Sequence, residues 1–203
     1  MNITYLSSLF AGYLIGSISF ALILARLKGI NLREVGSGNL GATNAGRALG
    51  KKLGLLVYFL DMLKGAIPVI FAGFIFVDDT NIAVFAGAGA YFGHIWPLYL
   101  KFSGGKGVAT LSGVLLALAP IPTLIAGIAF FATVKMSGMM SMGSLALGIA
   151  LPISMFSYPL VDPAVRYFSL FAGLFLFITH RSNILRVLRG EESKIKKKND
   201  QAS

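Results

Sequence analysis

The sequence predicts an all-α fold, a polytopic integral membrane bundle with seven transmembrane helices. Of the 203 residues, 56% are hydrophobic and 13% are charged, whereas soluble domains carry about 25% charged residues. The apolar residues form long runs, close to the ~20 residues that a membrane-spanning helix needs. Basic residues cluster beside these runs, as they do in the cytoplasmic loops of membrane proteins.

Six apolar runs supply the candidate spans: 3–25, 53–76, 81–100, 107–134, 141–158 and 163–179. The first lacks a basic start and a small-residue cleavage site, which favours a span over a signal peptide. The fourth contains Pro120 and Pro122 in its middle, and proline interrupts a helix because it lacks a backbone N–H. This run is either one kinked span or two short helices of about 12 to 14 residues each.

The distribution of charge favours seven spans over six. With seven, 16 of the 18 basic residues share one side of the membrane, and only Lys64 and Arg166 are left over. Asp78 and Asp162 then lie on the opposite side. With six spans, Lys135 and the basic C-terminal tail would lie outside the cell. Because cytoplasmic loops are rich in Lys and Arg, we expect the N-terminus outside and the C-terminus in the cytoplasm.

Composition also excludes several kinds of site. The chain has no cysteine, so disulfides, thiolate nucleophiles and cysteine zinc sites are excluded. Its two histidines, without a cluster of carboxylates, argue against a catalytic metal. The net charge is +10, and the basic residues cluster beside apolar spans. This position favours anionic lipid headgroups over nucleic acid as the binding partner.

Four polar segments fall on the predicted cytoplasmic face and form a candidate site. They are 36–47, 102–110, 139–145 and 179–186. In the first, "GSGNLGATNAGR", glycines let backbone N–H groups form an anion-binding concavity, and Arg47 adds a fork suited to phosphate. The neutral donors are Ser37, Asn39, Thr43 and Asn44. The alternative is a flexible loop with a helix cap.

The second segment, "SGGKGVAT", precedes an apolar helix. A phosphate there would meet the N–H groups of Gly104, Gly105 and Gly107, the positive helix end and Lys106 together. The pattern is not a nucleotide-binding P-loop, which requires Ser or Thr after the lysine, so ATP hydrolysis is disfavoured. The alternative is a glycine-rich turn with an interfacial lysine.

The remaining segments contribute side chains at helical spacing. His180 and Asn183 lie three residues apart on one helix face, and His180 is either a general acid or base or a group that holds an oxygen. Ser141 and Ser144 either face the site or serve in capping and packing. Elsewhere, Asp61 and Lys64 are expected to form a structural ion pair deep in a span, and we interpret His94 as structural.

Together these segments are similar to the bacterial acyl-phosphate:glycerol-3-phosphate acyltransferases of the PlsY type. The resemblance rests on "GSGNLGATNAGR", "GHIWPLYLKFSGGKGVAT" and "HRSNILRVLRGEE", with support from "DMLKG" and "SMGS". It runs from about residue 12 to 192, so residues 1–192 are predicted to form a single membrane acyltransferase domain. Residues 193–203 are predicted to form a disordered, basic cytoplasmic tail.

The resemblance implies a multi-pass enzyme of the bacterial inner membrane whose active site faces the cytoplasm. It implies transfer of an acyl group from acyl phosphate to the 1-position of glycerol 3-phosphate, giving lysophosphatidate and inorganic phosphate. This is the first step of phospholipid synthesis. The expected partners are the two substrates and membrane lipid; no cofactor, metal, nucleic acid or protein partner is expected, and thioesters are not the donors.

The resemblance also implies residue roles. The segment "SGGKG" holds glycerol 3-phosphate, while Ser37, Arg47, His180 and Asn183 are among the functional residues. Glu191 and Glu192 are expected to form salt bridges that hold loops. The His-x4-Asp pattern of thioester-using acyltransferases is absent, because Tyr99 and Leu185 stand where aspartate would be needed.

Two proton acceptors therefore stay open at this point. His180 acts as the base, or a substrate phosphate takes the proton. We favour the second, with Asn183, Ser37 and backbone N–H groups stabilising the oxyanion.

A transporter for small phosphorylated solutes is the main rival. It is weakened because the polar segments share one face and only Asp61 and Lys64 lie deep. A structural or signalling bundle would leave the polar segments unexplained.

Overall fold

The computed structural model describes residues 3–195, which fold into α-helices joined by short loops. In chain order the helices are α1 (Ile3–Gly16), α2 (Phe20–Leu27), α3 (Ala42–Leu49), α4 (Lys51–Ile75), α5 (Thr80–Ile95), α6 (Val108–Leu118), α7 (Pro120–Ser137), α8 (Met140–Ser157), α9 (Pro163–Thr179) and α10 (Arg181–Leu188). A short 3-10 helix, Leu98–Leu100, follows α5. The all-α prediction is confirmed for this part of the chain.

Several of these helices are able to cross a membrane. Four stretches are long and apolar enough: Ile3–Leu27, Lys51–Ile75, Pro120–Ser137 and Met140–Ser157. A fifth is formed by α9 and α10 if this pair, bent by 56°, is counted as one broken span. By this criterion the described chain does not reach the predicted seven, because α5 has 16 residues and α6 has 11, fewer than the ~20 that cross the hydrocarbon core.

The first apolar run, predicted as the first span, is one candidate span over Ile3–Leu27, but its helix is interrupted. Helix α1 ends at Gly16, and α2 begins at Phe20 with Ser19 as its N-cap, whose side chain accepts the Leu22 N–H. The buried Ser17 hydroxyl donates to the Tyr13 carbonyl and accepts the Leu98 N–H. Serine side chains satisfy backbone groups at a helix break, so this polar gap is stable inside the bundle.

The fourth run is two helices, which decides between the two interpretations of its prolines. Helix α6 ends at Leu118, and Pro120 occupies the first turn of α7, where its missing N–H costs no hydrogen bond. Helix α6, with 11 residues, is short as predicted, but α7 has 18 residues. It continues to Ser137 and stops at Gly138, which adopts a left-handed conformation.

Glycines bring the helices into close contact. Helix α1 packs along α5, and a Cβ on Gly89 would overlap the Leu9 carbonyl oxygen, as one on Gly93 would overlap that of Tyr13. These glycines therefore let the two helices approach closely. Helix α4 packs on α6 in the same way, since a Cβ on Gly113 would overlap the Met62 carbonyl oxygen.

Large apolar side chains cover the outside of the bundle, whereas several polar side chains lie inside. Phe74 is 81% exposed and Phe131 69% exposed, although both are strongly hydrophobic. Asp61 and Lys64 are buried and form the predicted ion pair, with 2.8 Å between Asp61 Oδ1 and Lys64 Nζ. Lys64 Nζ also donates to the Ile18 carbonyl at 2.6 Å, so the pair holds the break between α1 and α2. This distribution is typical of a protein whose surface faces lipid.

The predicted tail lies mostly outside the described residues, which end at residue 195. Its first residues contact the bundle, because the Ile195 N–H donates to the Gly138 carbonyl at 2.8 Å.

Candidate functional site

A cavity of about 370 Å³ opens at the end of the bundle where the predicted polar segments meet. This volume lies in the usual range of small-molecule sites. All four segments contribute to its wall, although they are distant in sequence. The predicted site residues that line it are Ser37, Asn39, Thr43, Asn44, Arg47, Lys106, Gly107, Ser141, Ser144, His180 and Asn183. Gly104 and Gly105 lie outside its lining.

Asn44 holds the first glycine-rich loop in shape. Its side-chain oxygen accepts the Ser37 N–H at 2.9 Å, and its amide nitrogen donates to the carbonyls of Leu32 and Val35. The side chain is buried and its hydrogen-bonding groups are engaged. Asn44 was predicted to contact phosphate, but in the structure it positions Ser37 at the cavity wall.

Gly104 and Gly105 let the second loop pack against the end of α5. The Gly104 N–H donates to the Ile95 carbonyl at 3.1 Å, and the Gly105 N–H to the His94 carbonyl at 3.0 Å. A Cβ on Gly105 would overlap the imidazole of His94. The two N–H groups predicted to cradle a phosphate are therefore occupied, because the loop uses them to reach α5. Lys106 and Gly107, the next residues, do reach the cavity.

Lys106 begins a chain of polar contacts across the mouth of the cavity. Its ammonium group donates to the Asn183 side-chain oxygen. The Asn183 amide donates to Glu192 Oε1 at 2.7 Å, and Arg186 Nε lies 2.8 Å from Glu192 Oε2. The salt bridge expected of Glu192 is confirmed; Glu191 instead contributes its backbone N–H to the Arg186 carbonyl.

Positive charge dominates this end of the cavity. Burial lowers the pKa of Lys106 to about 8, as do the charges of Arg186 and Arg47, against an opposing effect of Glu192. Burial alone would raise the pKa of Glu192, but its interactions with Ser141, Asn183 and Arg186 outweigh this effect, and the pKa lies below its usual value. At neutral pH the site therefore presents charged Lys106, Arg47 and Arg186, and the carboxylate of Glu192 is already paired.

His180 lies at the bend between α9 and α10 with one ring nitrogen engaged. Its Nδ1 is 2.8 Å from the Leu176 carbonyl oxygen, which only accepts hydrogen bonds, so Nδ1 carries the proton. In the neutral ring, Nε2 then holds a lone pair. The Thr179 hydroxyl donates to the Lys106 carbonyl at 3.2 Å, which ties this bend to the second loop.

Sequence reasoning missed part of the cavity wall. Tyr58 and Asp61 from α4, and His94 from α5, line it, although the sequence favoured a mainly structural role for Asp61 and His94. His94 Nδ1 lies 3.8 Å from Asp61 Oδ1. The available signal was three polar residues inside apolar runs, which usually face a bundle interior or a cavity.

Comparisons with known proteins show similarity along most of the chain. A family model described as glycerol-3-phosphate acyltransferase matches residues 6–190. The glycerol-3-phosphate acyltransferase of Myxococcus xanthus is 46% identical over 184 residues, which cover 89% of this chain and 94% of that protein. That of Desulforamulus reducens is 43% identical over 202 residues, 98% of each.

Solved structures give the same result. The crystal structure of PlsY (YgiH), an integral membrane glycerol 3-phosphate acyltransferase, in its glycerol 3-phosphate form has a TM-score of 0.91 and 37% identity over 98% of this chain and 99% of that one. Its lysophosphatidic acid form has a TM-score of 0.87 and 37% identity over 95% of each. The chain therefore belongs to the glycerol-3-phosphate acyltransferase family, as a multi-pass membrane enzyme of the PlsY type.

Proposed function

We propose that this enzyme transfers a fatty acyl group from acyl phosphate to the 1-hydroxyl of glycerol 3-phosphate. The products are 1-acylglycerol 3-phosphate (lysophosphatidate) and inorganic phosphate, and the reaction begins phospholipid synthesis. The observation that carries the proposal is the convergence of Arg47, Lys106 and Arg186 on one cavity. Its two carboxylates, Asp61 and Glu192, are each paired with a basic side chain. Two phosphorylated substrates need such a surplus of positive charge.

The reaction balances without a cofactor. The 1-hydroxyl oxygen forms a bond to the acyl carbon, the bond between that carbon and the phosphate oxygen breaks, and the hydroxyl proton ends on the released phosphate. Acyl phosphate is a mixed anhydride and is already activated, so we expect neither cofactor, metal nor protein partner.

The cavity residues divide into binding and stabilising roles. Arg47 and Lys106 bind phosphate oxygens as charged donors. Ser37, Asn39 and Asn183 stabilise the oxyanion; Asn183 keeps one amide hydrogen for this, because the other goes to Glu192. The remaining substrate contacts are assigned to Thr43, Gly107, Ser141 and Ser144, which line the same cavity. Asn44, Gly104 and Gly105 act by holding the loops.

A donor assay tests the reaction. Purified protein in detergent is incubated with glycerol 3-phosphate and either palmitoyl phosphate or palmitoyl-coenzyme A, without added metal or nucleotide. We expect lysophosphatidate and phosphate in equal amounts from the acyl phosphate alone, and little product from the Arg47→Ala variant. Product formed only from the thioester would overturn the proposal.

The substrate phosphate, rather than His180, is proposed to take the proton. Replacing His180 by alanine should then lower kcat less than the ~100-fold minimum usual for loss of a general base, and the near-neutral inflection of the pH–rate profile should persist. Loss of that inflection in His180→Ala, with binding of glycerol 3-phosphate intact, would assign the proton to His180.

The enzyme is proposed to lie in the bacterial inner membrane with seven spans, its N-terminus outside and the cavity facing the cytoplasm, with residues 1–192 as one domain and 193–203 as a basic tail. Support comes from the basic residues around the cavity mouth, since cytoplasmic loops are rich in Lys and Arg. The chain has no native cysteine, so cysteines introduced at the exposed Asn31 and Asp78 can be labelled in intact cells. Reaction of Asp78→Cys alone is expected; equal reaction of Asn31→Cys contradicts the topology.

A further inference from the structure

The inner end of the cavity carries two buried side chains that the proposed mechanism does not use. Asp61 projects from α4 and His94 from the last turn of α5, and both line the cavity. They are 1% and 7% exposed. Neither belongs to the glycine-rich loops, so they form a separate polar surface facing the same space as Lys106.

Their geometry leaves room for one more polar atom. His94 Nδ1 and Asp61 Oδ1 are 3.8 Å apart, which is too far for a direct hydrogen bond, and His94 Nδ1 has no hydrogen-bond partner among residues 3–195. Asp61 Oδ1 pairs with Lys64, but a carboxylate oxygen accepts more than one hydrogen bond. An oxygen about 2.8 Å from both atoms fits this separation.

The chemistry of the pair selects a hydroxyl group. A carboxylate only accepts hydrogen bonds, so the ligand atom must donate to Asp61. In the tautomer with a proton on Nδ1, His94 donates to the same atom, and a hydroxyl group both donates and accepts. A phosphate oxygen would be repelled by the carboxylate, and an acyl chain has no polar atom to offer. The backbone carbonyl of His94 accepts the Gly105 N–H. Because Gly105 directly precedes Lys106, this hydrogen bond holds Lys106 close to the hydroxyl site.

We propose that Asp61 and His94 bind the 2-hydroxyl of glycerol 3-phosphate. This rests on the proposed transfer to the 1-position. With the phosphate held by Arg47 and Lys106 and the 2-hydroxyl held by this pair, the substrate is fixed at two points, and its 1-hydroxyl is directed at the acyl carbon. His94 is thus a substrate-binding residue that selects which hydroxyl reacts.

The test compares two acceptors. 3-Hydroxypropyl phosphate keeps the phosphate and a primary hydroxyl but lacks the 2-hydroxyl. For the native enzyme we expect dissociation constants, and kcat/KM with palmitoyl phosphate, to favour glycerol 3-phosphate by about 10- to 100-fold. In His94→Phe, which keeps a ring but removes Nδ1, this preference should fall to about 1, with the analogue unaffected. His94→Asn, which retains an amide N–H, should restore part of it.

The outcomes separate this inference from the proposed reaction. Native enzyme that binds both acceptors equally would overturn the hydroxyl site, whether or not the variants fold. Equal losses for both acceptors in His94→Phe would assign His94 a structural role and likewise overturn it. If palmitoyl phosphate is not a donor, the proposed reaction fails, while the dissociation constants still measure recognition of the 2-hydroxyl.

Discussion

Replacing Lys106 by methionine is expected to lower kcat/KM for glycerol 3-phosphate by about 30-fold or more. Methionine keeps the length of the side chain and removes the charge. Losing one partner of a buried, hydrogen-bonded charge pair costs ~2–5 kcal/mol, and each 1.4 kcal/mol is about tenfold. The Asn183 side-chain oxygen would also lose its donor. Steady-state kinetics with saturating acyl phosphate measure the effect.

The pH dependence gives the same lysine a distinct signature. Because the pKa of Lys106 is lowered to about 8, the free enzyme should lose affinity for glycerol 3-phosphate as the pH rises through that value. The Lys106→Arg variant keeps its positive charge at these pH values, so its affinity for glycerol 3-phosphate should not fall in this way. If the affinity of the native enzyme for glycerol 3-phosphate does not change between pH 7 and 9.5, the assignment of Lys106 as the phosphate ligand is contradicted.

Unfolding does not explain such a loss of affinity. The folded pKa of Lys106, about 8, lies below its ordinary value of 10.5, so the unfolded chain holds this proton more tightly. The Lys106 contribution to stability therefore rises between these two pH values, while binding falls. Thermal unfolding measured in parallel with binding separates the two effects.

Replacing Lys64 by methionine is expected to destabilise the bundle by about 3–5 kcal/mol, because it leaves Asp61 as a buried, uncompensated charge. The Ile18 carbonyl at the break between α1 and α2 also loses its donor. Thermal unfolding in detergent should show a large drop in Tm. The matched control is Lys52→Met, an exposed residue at the start of the same helix, which should change Tm little.

A double variant tests the physical cause. Asp61→Asn combined with Lys64→Met removes both charges, so it should be more stable than Lys64→Met alone, although the unpaired Ile18 carbonyl keeps it below the native enzyme by about 1–3 kcal/mol. If the double variant is as unstable as the single one, the ion pair is not the source of the stability. Activity is not the readout, since Asp61 also lines the cavity.

Much of the fold could be predicted because it depends on local spacing and hydrophobicity. Helical periodicity places residues three apart on one face, so the Asp61–Lys64 pair was predictable and is present. The prolines after Leu118 predicted a break because proline lacks a backbone N–H, and α7 begins there. Charge asymmetry predicted that distant polar segments share one end of the bundle, and they meet at one cavity. The total of seven spans stays a prediction.

Other features depended on contacts between helices, which spacing along the chain does not specify. The break at residues 17–19 is stabilised by Lys64 from α4, so the apolar run alone gave no sign of it. Gly104 and Gly105 resembled a phosphate cradle, but their N–H groups donate to carbonyls at the end of α5.

The amino-acid sequence by itself determined that this chain is a helical membrane protein, which segments are polar and which family it belongs to, because these follow from composition and short motifs. Tertiary structure alone decided which groups remain free to bind substrate. Asp61 and His94 come from different helices and lie 3.8 Å apart, and Asn44 uses its amide on its own loop. The hydrogen-bond partner of each backbone and side-chain group depends on which neighbours the packed helices place beside it. These partners are therefore fixed only when the helices pack.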